Sequence, residues 1–376
     1  MLFIKKIIRF VISKKILSYP PKKKIVIYDS HSKEIIKKFS LKNFIILDTR
    51  YEKFYLPILF KNFLRFRFSY NHYMQEFIHY VNPNLLITII DQDINFYKLK
   101  LKSGKKITIQ QSRRSELPED DLFNFNKEKK RVHLKSDFIF AQNKFIGKKY
   151  SSIIDGKIDF LGSFRSNSIN LSFKKKNIKI LYISTYRKSV DQRAKEKNLF
   201  QFEYLKNEYK LLNTIKKYSR NNKIKITILG SSIEYPNEEK LFFSKYFKKN
   251  FHFLKRSSKR NTYQIIDKSK VVLGIDSTLI YESFGRGVKS LFFCVRDSSL
   301  FDFSSRKFSW PLKLKKEGAF WLNYYSEKKI FNKIDNIKKM NNKKWLEISK
   351  NYREKIMPYY KNNQKVNKTI HEILKN

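Results

Sequence analysis

One alternation runs the length of this chain and restarts once. Short apolar runs are separated by longer, lysine-rich amphipathic stretches. In the first half the runs are Ile25–Tyr28, Phe44–Leu47, Leu85–Ile90, Ile107–Ile109, Phe138–Phe140 and Ile158–Leu161. In the second half they are Ile178–Ile183, Ile224–Leu229, Phe251–Leu254, Val271–Ile275 and Ser290–Phe293. Runs that are apolar on both faces suit parallel strands covered by crossover helices, and the stretches between them are long enough to supply those helices. One is predicted over about Phe200–Tyr218, and further helices over roughly Lys343–Leu374, broken at Pro358. Between the halves, Ser166–Asn177 is rich in Ser, Asn and Lys and reads as a linker. The pattern predicts an α/β chain of two Rossmann-like domains facing a central cleft, with C-terminal helices. The expected boundaries are 1–24 for a basic N-terminal segment, 25–167 and 178–330 for the two domains, and 331–376 for the terminal helices.

Composition narrows the classes. The chain has 376 residues, of which 41% are hydrophobic and 16% aromatic, so it buries large cores and is not a disordered protein. Its single cysteine, Cys294, rules out an internal disulfide and any cysteine-based zinc site, and fits a reducing cytoplasm. The six histidines show no metal-ligand spacing, and no metal or cofactor is expected. The formal charge of +49 has two readings. One is an anionic partner. The other is AT-rich coding, which favours the abundant Lys, Asn, Ile, Phe and Tyr. Lysine is spread over the whole chain and no recognition motif accompanies it, so a specific nucleic-acid partner is not expected.

No segment reaches the roughly 20 apolar residues that cross a bilayer. At the N-terminus Ile4, Ile7, Ile8, Val11, Ile12 and Ile16 fall at helical spacing, with Lys5, Arg9 and Ser13 opposite. No small-residue cleavage site follows, so a secretory signal is not expected. A basic amphipathic helix over Met1–Leu17 would suit the anionic inner face of a membrane, or packing on its own protein, and both readings stay open.

Parallel sheets place function at the carboxyl ends of their strands. Gly274-Ile275-Asp276-Ser277-Thr278 reads as a strand end and a tight polar turn that opens a short helix. Free backbone N–H groups and two hydroxyls at a helix N-terminus suit a phosphate, and Glu282, four residues past Thr278, lies on the same face to hold a ribose diol. The alternative is an ordinary strand-to-helix connection with an N-cap. Ser184, Thr185 and Arg187 follow the first strand of the second half and suit a diphosphate, or form a solvated turn. Gly230 and Ser231, followed by Ser232, end the next strand as a close-approach loop or a plain turn. In the first half, Asp91 ends the longest strand and is the expected general base, with Asp29, His31 and Asp93 competing. Gln110, Arg113 and Arg114 follow the next run, and the arginines could clamp a phosphate or carboxylate of an acceptor. The aromatics Phe63, Phe66, Phe68, Tyr70 and Tyr73 read as packing residues or as sugar-stacking ones.

In this order the segments resemble the GT-B class of nucleotide-sugar glycosyltransferases, and more narrowly its bacterial surface-carbohydrate (lipopolysaccharide or capsule) biosynthesis proteins. The carrying residues are Ile89 to Asp93 with Phe96 to Leu99, Ile109 to Arg114, Ser136 to Phe140, Tyr150, Gly156 to Asn167, and above all Gly274 to Glu282 with Gly285 to Lys289. Ser112 stands where the family usually has glycine, so either the turn differs or that site is not kept. The resemblance implies transfer of a sugar from a nucleotide-sugar donor to a glycan or lipid-linked acceptor. It gives the donor to Ser184, Thr185, Arg187, Gly230, Ser231, Asp276, Ser277, Thr278 and Glu282, and the acceptor to Gln110, Arg113 and Arg114. The expected location is the cytoplasm, with a peripheral place on the inner face of the membrane left open by the basic N-terminal helix. Two rivals share the scaffold: a transferase of glycerol phosphate from CDP-glycerol, and a noncatalytic scaffold of the same pathway.

Overall fold

The computed structural model describes residues 8, 10–117, 122–124, 133–172, 176–231 and 233–375. The chain is mixed α/β and divides into two compact units. The first comprises 1–111, 118–164 and 363–376, and the second 112–117 and 165–362.

The first unit opens with β1 (Lys14–Ile16) and β2 (Ile25–Tyr28), continues through β3 (Phe44–Leu47), β4 (Lys53–Tyr55), β5 (Leu85–Thr88) and β6 (Lys105–Ile109), and closes with β7 (Lys135–Ala141) and β8 (Asp155–Phe160). Six of these form a parallel sheet in the order β3-β2-β5-β6-β7-β8. Every residue of β2 and β5 is buried, which is why both read as unbroken apolar runs. The chain reverses direction across the sheet between β2 and β5, so the loops at Asp29 and Ile89–Asp93 flank a topological switch point. The helix Gln364–Lys375 returns to this unit and buries Val366 and Ile370 in its core.

The second unit contains β9 (Ile178–Ile183), β10 (Ile226–Leu229), β11 (Phe251–Leu254), β12 (Ser269–Gly274), β13 (Ser290–Phe293), β14 (Glu317–Gly318) and β15 (Trp321–Leu322). The order is β11-β10-β9-β12-β13-β15-β14, parallel except for β14. Its switch point lies between β9 and β12. The helix Leu199–Asn221, capped by Asn198 accepting from the Gln201 N–H, buries Leu211, Leu212, Ile215 and Tyr218. Gly285 ends the helix Thr278–Gly285 where a side chain would not fit: an added Cβ would lie 2.3 Å from the Met357 carbonyl oxygen.

Three expectations change. The amphipathic helix does not run to Leu17: the chain leaves helix at Ser13, and Lys14–Ile16 pair in parallel with Lys53–Tyr55. A partner strand 39 residues on captures the backbone, which helical spacing alone does not reveal. Residues 1–7 and 9, with Ile4, Lys5, Lys6, Ile7 and Arg9, lie outside the described residues. Residues 168–172 of the expected linker are held in place. The Arg286 guanidinium, in a buried ion pair with Asp267 at 2.6 Å, donates to the carbonyls of Ser166, Ile169 and Asn170. The terminal helices do not form one block, since Glu327–Lys339 packs in the second core and Gln364–Lys375 in the first. Among the described residues no helix is long and apolar enough to cross a membrane.

Candidate functional site

In the second unit, the loops after β9, β10, β11, β12 and β13 carry the polar residues of the carboxyl edge. Ser277 caps the helix Thr278–Gly285, accepting from the Leu279 N–H at 3.3 Å. The Thr278 hydroxyl accepts from the Arg113 N–H at 3.0 Å. Arg113 and Arg114 therefore belong to the second unit, while Gln110 stays in the first. This separates the three expected acceptor residues, because the chain crosses between units directly after Gln111. Arg113 donates through Nη2 to the carbonyls of Ser305 and Lys307 and lies over the Tyr281 ring, while its Nη1 is buried without a hydrogen-bond partner. Ser112 accepts from Arg114 Nη2 at 3.1 Å and needs no left-handed backbone, so the serine is accommodated where the family has glycine.

Asp276 is buried, and its Oδ2 accepts from Arg296 Nε at 3.0 Å with Arg306 Nε at 3.7 Å. Burial alone would raise its carboxyl pKa, but the Arg296, Arg306 and Arg113 guanidiniums outweigh burial and hold it at about 2. Asp276 is thus a fixed anion that orients arginines. A carboxylate in that role would repel a phosphate, so direct donor contact by Asp276, expected from the sequence, does not fit its surroundings. Arg296 also meets Glu208 Oε2 at 2.8 Å and stacks 3.8 Å from the Tyr204 ring. These carboxylates raise its pKa well above the ordinary value despite burial.

The β9 and β10 loops are held by Glu208 and one further carboxylate, Glu239. Ser184 donates to buried Glu239, which also accepts from the Ser231 N–H at 2.8 Å, and Thr185 donates to Glu208 at 2.6 Å. Gly230 gives its space to Glu239 Oε2, 3.0 Å from where a Cβ would stand. Ser232 lies outside the described residues. Arg187 is exposed.

Glu282 is buried one turn below Thr278 and accepts from the Tyr263 hydroxyl. It faces Arg165 and Arg256, which the sequence reading did not single out. Desolvation lowers the pKa of both arginines more than Glu282 restores it. Arg256 Nε is buried without a hydrogen-bond partner. Arg256 follows β11 by two residues, and that position past a strand end was the available signal. In a chain with 82 Lys and Arg it carried little contrast.

In the first unit Asp91 is fully buried. Its Oδ1 accepts from the Gln111 N–H at 3.1 Å and its Oδ2 from the Tyr150 hydroxyl. Such a carboxylate braces two loops and presents no open oxygen to a substrate, so this geometry does not suit the expected base. Asp93 accepts from Tyr28 and caps the helix Ile94–Lys98, and Asp29 accepts from Thr49, Arg50 and the His31 N–H. Among these candidates only the His31 side chain is exposed. Buried Gln110 accepts from the Gln142 N–H at 2.8 Å. Tyr73 is core, whereas Phe63, Phe66 and Phe68 are exposed.

Two doubly wound units define a GT-B glycosyltransferase-like fold. The sequence model of a family described as "putative O-antigen biosynthesis protein" matches residues 107–374, and the chain belongs to that family. No curated protein matches it. Among solved structures it is similar to a variant of the wall teichoic acid polymerase TagF soaked with CDPG, at 12% identity over 94% of this chain and 89% of that one, with a TM-score of 0.51. It is also similar to the pneumococcal O-GlcNAc transferase GtfA in complex with UDP and GlcNAc, at 15% identity over 81% of this chain, with a TM-score of 0.46. The chain spans 60% of GtfA and 54% of TarM, another similar structure. At these identities the likenesses bear on fold.

Proposed function

We propose that the protein transfers a sugar from a nucleotide-sugar donor to a glycan or lipid-linked acceptor in O-antigen or related surface-carbohydrate assembly. The observation that carries this reading is the pair Arg165 and Arg256 beside Glu282: dehydrated guanidiniums on the carboxyl side of a doubly wound sheet, one with a buried, unpartnered N–H. A diphosphate offers the Arg256 Nε an acceptor oxygen and gives both guanidiniums a counter-charge. Ser277, Thr278, Ser184, Thr185, Ser231 and the Arg113 Nη1 complete the donor side. Glu282 holds the arginines for the leaving diphosphate, which they stabilise as negative charge develops on it. His31 takes the role of base in place of Asp91, because a base must reach the acceptor hydroxyl.

The test is thermal-shift and calorimetric screening of the full chain against UDP-, GDP-, CDP- and CMP-linked ligands, with Arg256→Met in parallel. A selective response that falls roughly 10- to 100-fold in affinity in the variant supports the reading, as loss of a charge-assisted bond predicts. The variant is expected to lose some stability while staying folded, since Arg256 faces the buried Glu282 and Glu239 carboxylates. A response to CDP-glycerol alone assigns glycerol-phosphate transfer instead, and no response to any ligand assigns a scaffold.

A further inference from the structure

In the first unit, β4 runs directly into the helix Leu56–Phe63, which buries Ile58 and Asn62 and turns its other face outward. Phe60, Phe63 and Leu64 lie at i, i+3 and i+4 and are 62%, 62% and 61% exposed. Phe66 and Phe68 follow at 83% and 71%. Five large apolar side chains within nine residues are more than scattered surface hydrophobics. The turn that carries them is built: the N–H groups of Leu64, Arg65, Phe66 and Arg67 donate to the carbonyls of Phe60, Asn62, Phe63 and Asn62. The Phe68 ring lies edge-on to those of Phe63 and Phe66, with centroids 5.7 and 6.4 Å away.

The cations among these rings decide what covers them. Arg65 and Arg67 alternate with the phenylalanines, and Lys61 precedes them. Glu76 pairs with both Lys61 and Arg65, so two of the three cations share one carboxylate. A second apolar segment adjoins: Val11 and Ile12 are exposed, and the Phe10 ring packs 5.0 Å from Phe54 of β4. Self-association would set like-charged patches against each other across a two-fold axis. An anionic bilayer surface instead takes the rings into its interface and the guanidiniums against its headgroups.

We propose that the Phe60–Phe68 helix end and turn dock the first unit on an anionic lipid surface by inserting aromatic side chains between headgroups. The docking is separate from nucleotide binding by the second unit, and the two fail independently.

The test is flotation of the full chain with phosphatidylcholine vesicles, with and without phosphatidylglycerol. The wild type is expected to float with the anionic vesicles. The variant carrying Phe63→Ser, Phe66→Ser and Phe68→Ser is expected to lose about tenfold or more of that partitioning, since apolar insertion adds to charge. The replaced side chains are exposed, and a retained melting temperature and nucleotide response show that the variant is folded. As a depth readout, Phe66→Trp should gain emission that brominated lipid quenches, relative to the resident tryptophans. Equal flotation of the triple variant, or no quenching of the introduced indole, overturns insertion and leaves charge alone. A lipid-free dimer that the triple variant abolishes overturns it too, assigning the patch to a second copy of the chain.

Discussion

Asp276→Asn tests whether this residue grips a ligand or holds arginines. In the folded chain its carboxyl pKa stands at about 2 against an ordinary 3.8, because Arg296, Arg306 and Arg113 outweigh its burial. That depression is worth on the order of 2 kcal/mol. The pKa is depressed by folding, so this stability is fully present above the unfolded value and is lost as pH falls through the folded one. The wild type should lose it between about pH 4 and pH 2. The asparagine variant lacks it already at neutral pH. Breaking a buried pair commonly costs about 3–5 kcal/mol, but Arg296 keeps Glu208 and the Tyr204 face, which places the expected loss at about 2–4 kcal/mol.

The assay is urea unfolding followed by tryptophan fluorescence. Trp310, Trp321 and Trp345 are the chain's three tryptophans and all lie in the second unit, so the signal reports that unit. The gap between wild type and variant should be largest at pH 7 and close towards pH 2. Affinity for a nucleoside diphosphate should hold or rise, since one negative charge has left an arginine-rich edge. An unchanged unfolding midpoint at pH 7, or a gap that widens on acidification, would refute the ion-pair account. Lost affinity with unchanged stability would make Asp276 a direct ligand.

Glu282→Gln keeps an acceptor for Tyr263 but removes the carboxylate beside Arg165 and Arg256. Pyrophosphate affinity by calorimetry should rise roughly tenfold as the two guanidiniums take up the anion instead. A fall confined to nucleoside ligands would restore Glu282 to the ribose. Asp91→Asn should cost about 1–3 kcal/mol of stability through its contacts to Gln111 and Tyr150. His31→Gln should leave stability intact and, with a donor and acceptor in hand, slow transfer by roughly 10²–10⁴-fold. A stable Asp91→Asn variant with that loss of rate would return the base to Asp91.

Much of the fold was legible because burial on both faces writes a strand as an unbroken apolar run. Phe251–Leu254, Ile178–Ile183 and Ser290–Phe293 are strands over the very residues the runs mark. Where the sequence fell short, the missing information is long-range. Lys53–Tyr55 is too short to stand out until Lys14–Ile16 pairs with it. Val366 and Ile370 announce a buried helix face but not which core receives it. The Arg113 N–H reaches Thr278 across 165 residues of chain, so no local pattern could assign it to the second unit.

The candidate site shows the same limit more sharply, because in this chain cationic residues are background. What separates the arginines is how far their burial is compensated. Arg296 sits between Asp276 and Glu208, which raise its pKa, so it is already satisfied and serves as structure. Arg165 and Arg256 are pulled the other way, since desolvation exceeds what Glu282 returns. Arg256 also keeps a buried N–H without a hydrogen-bond partner, and an arriving anion would supply its acceptor. The sequence directs attention to Asp276 and its turn, whereas the function proposed above puts the ligand one helical turn away, at the arginines around Glu282.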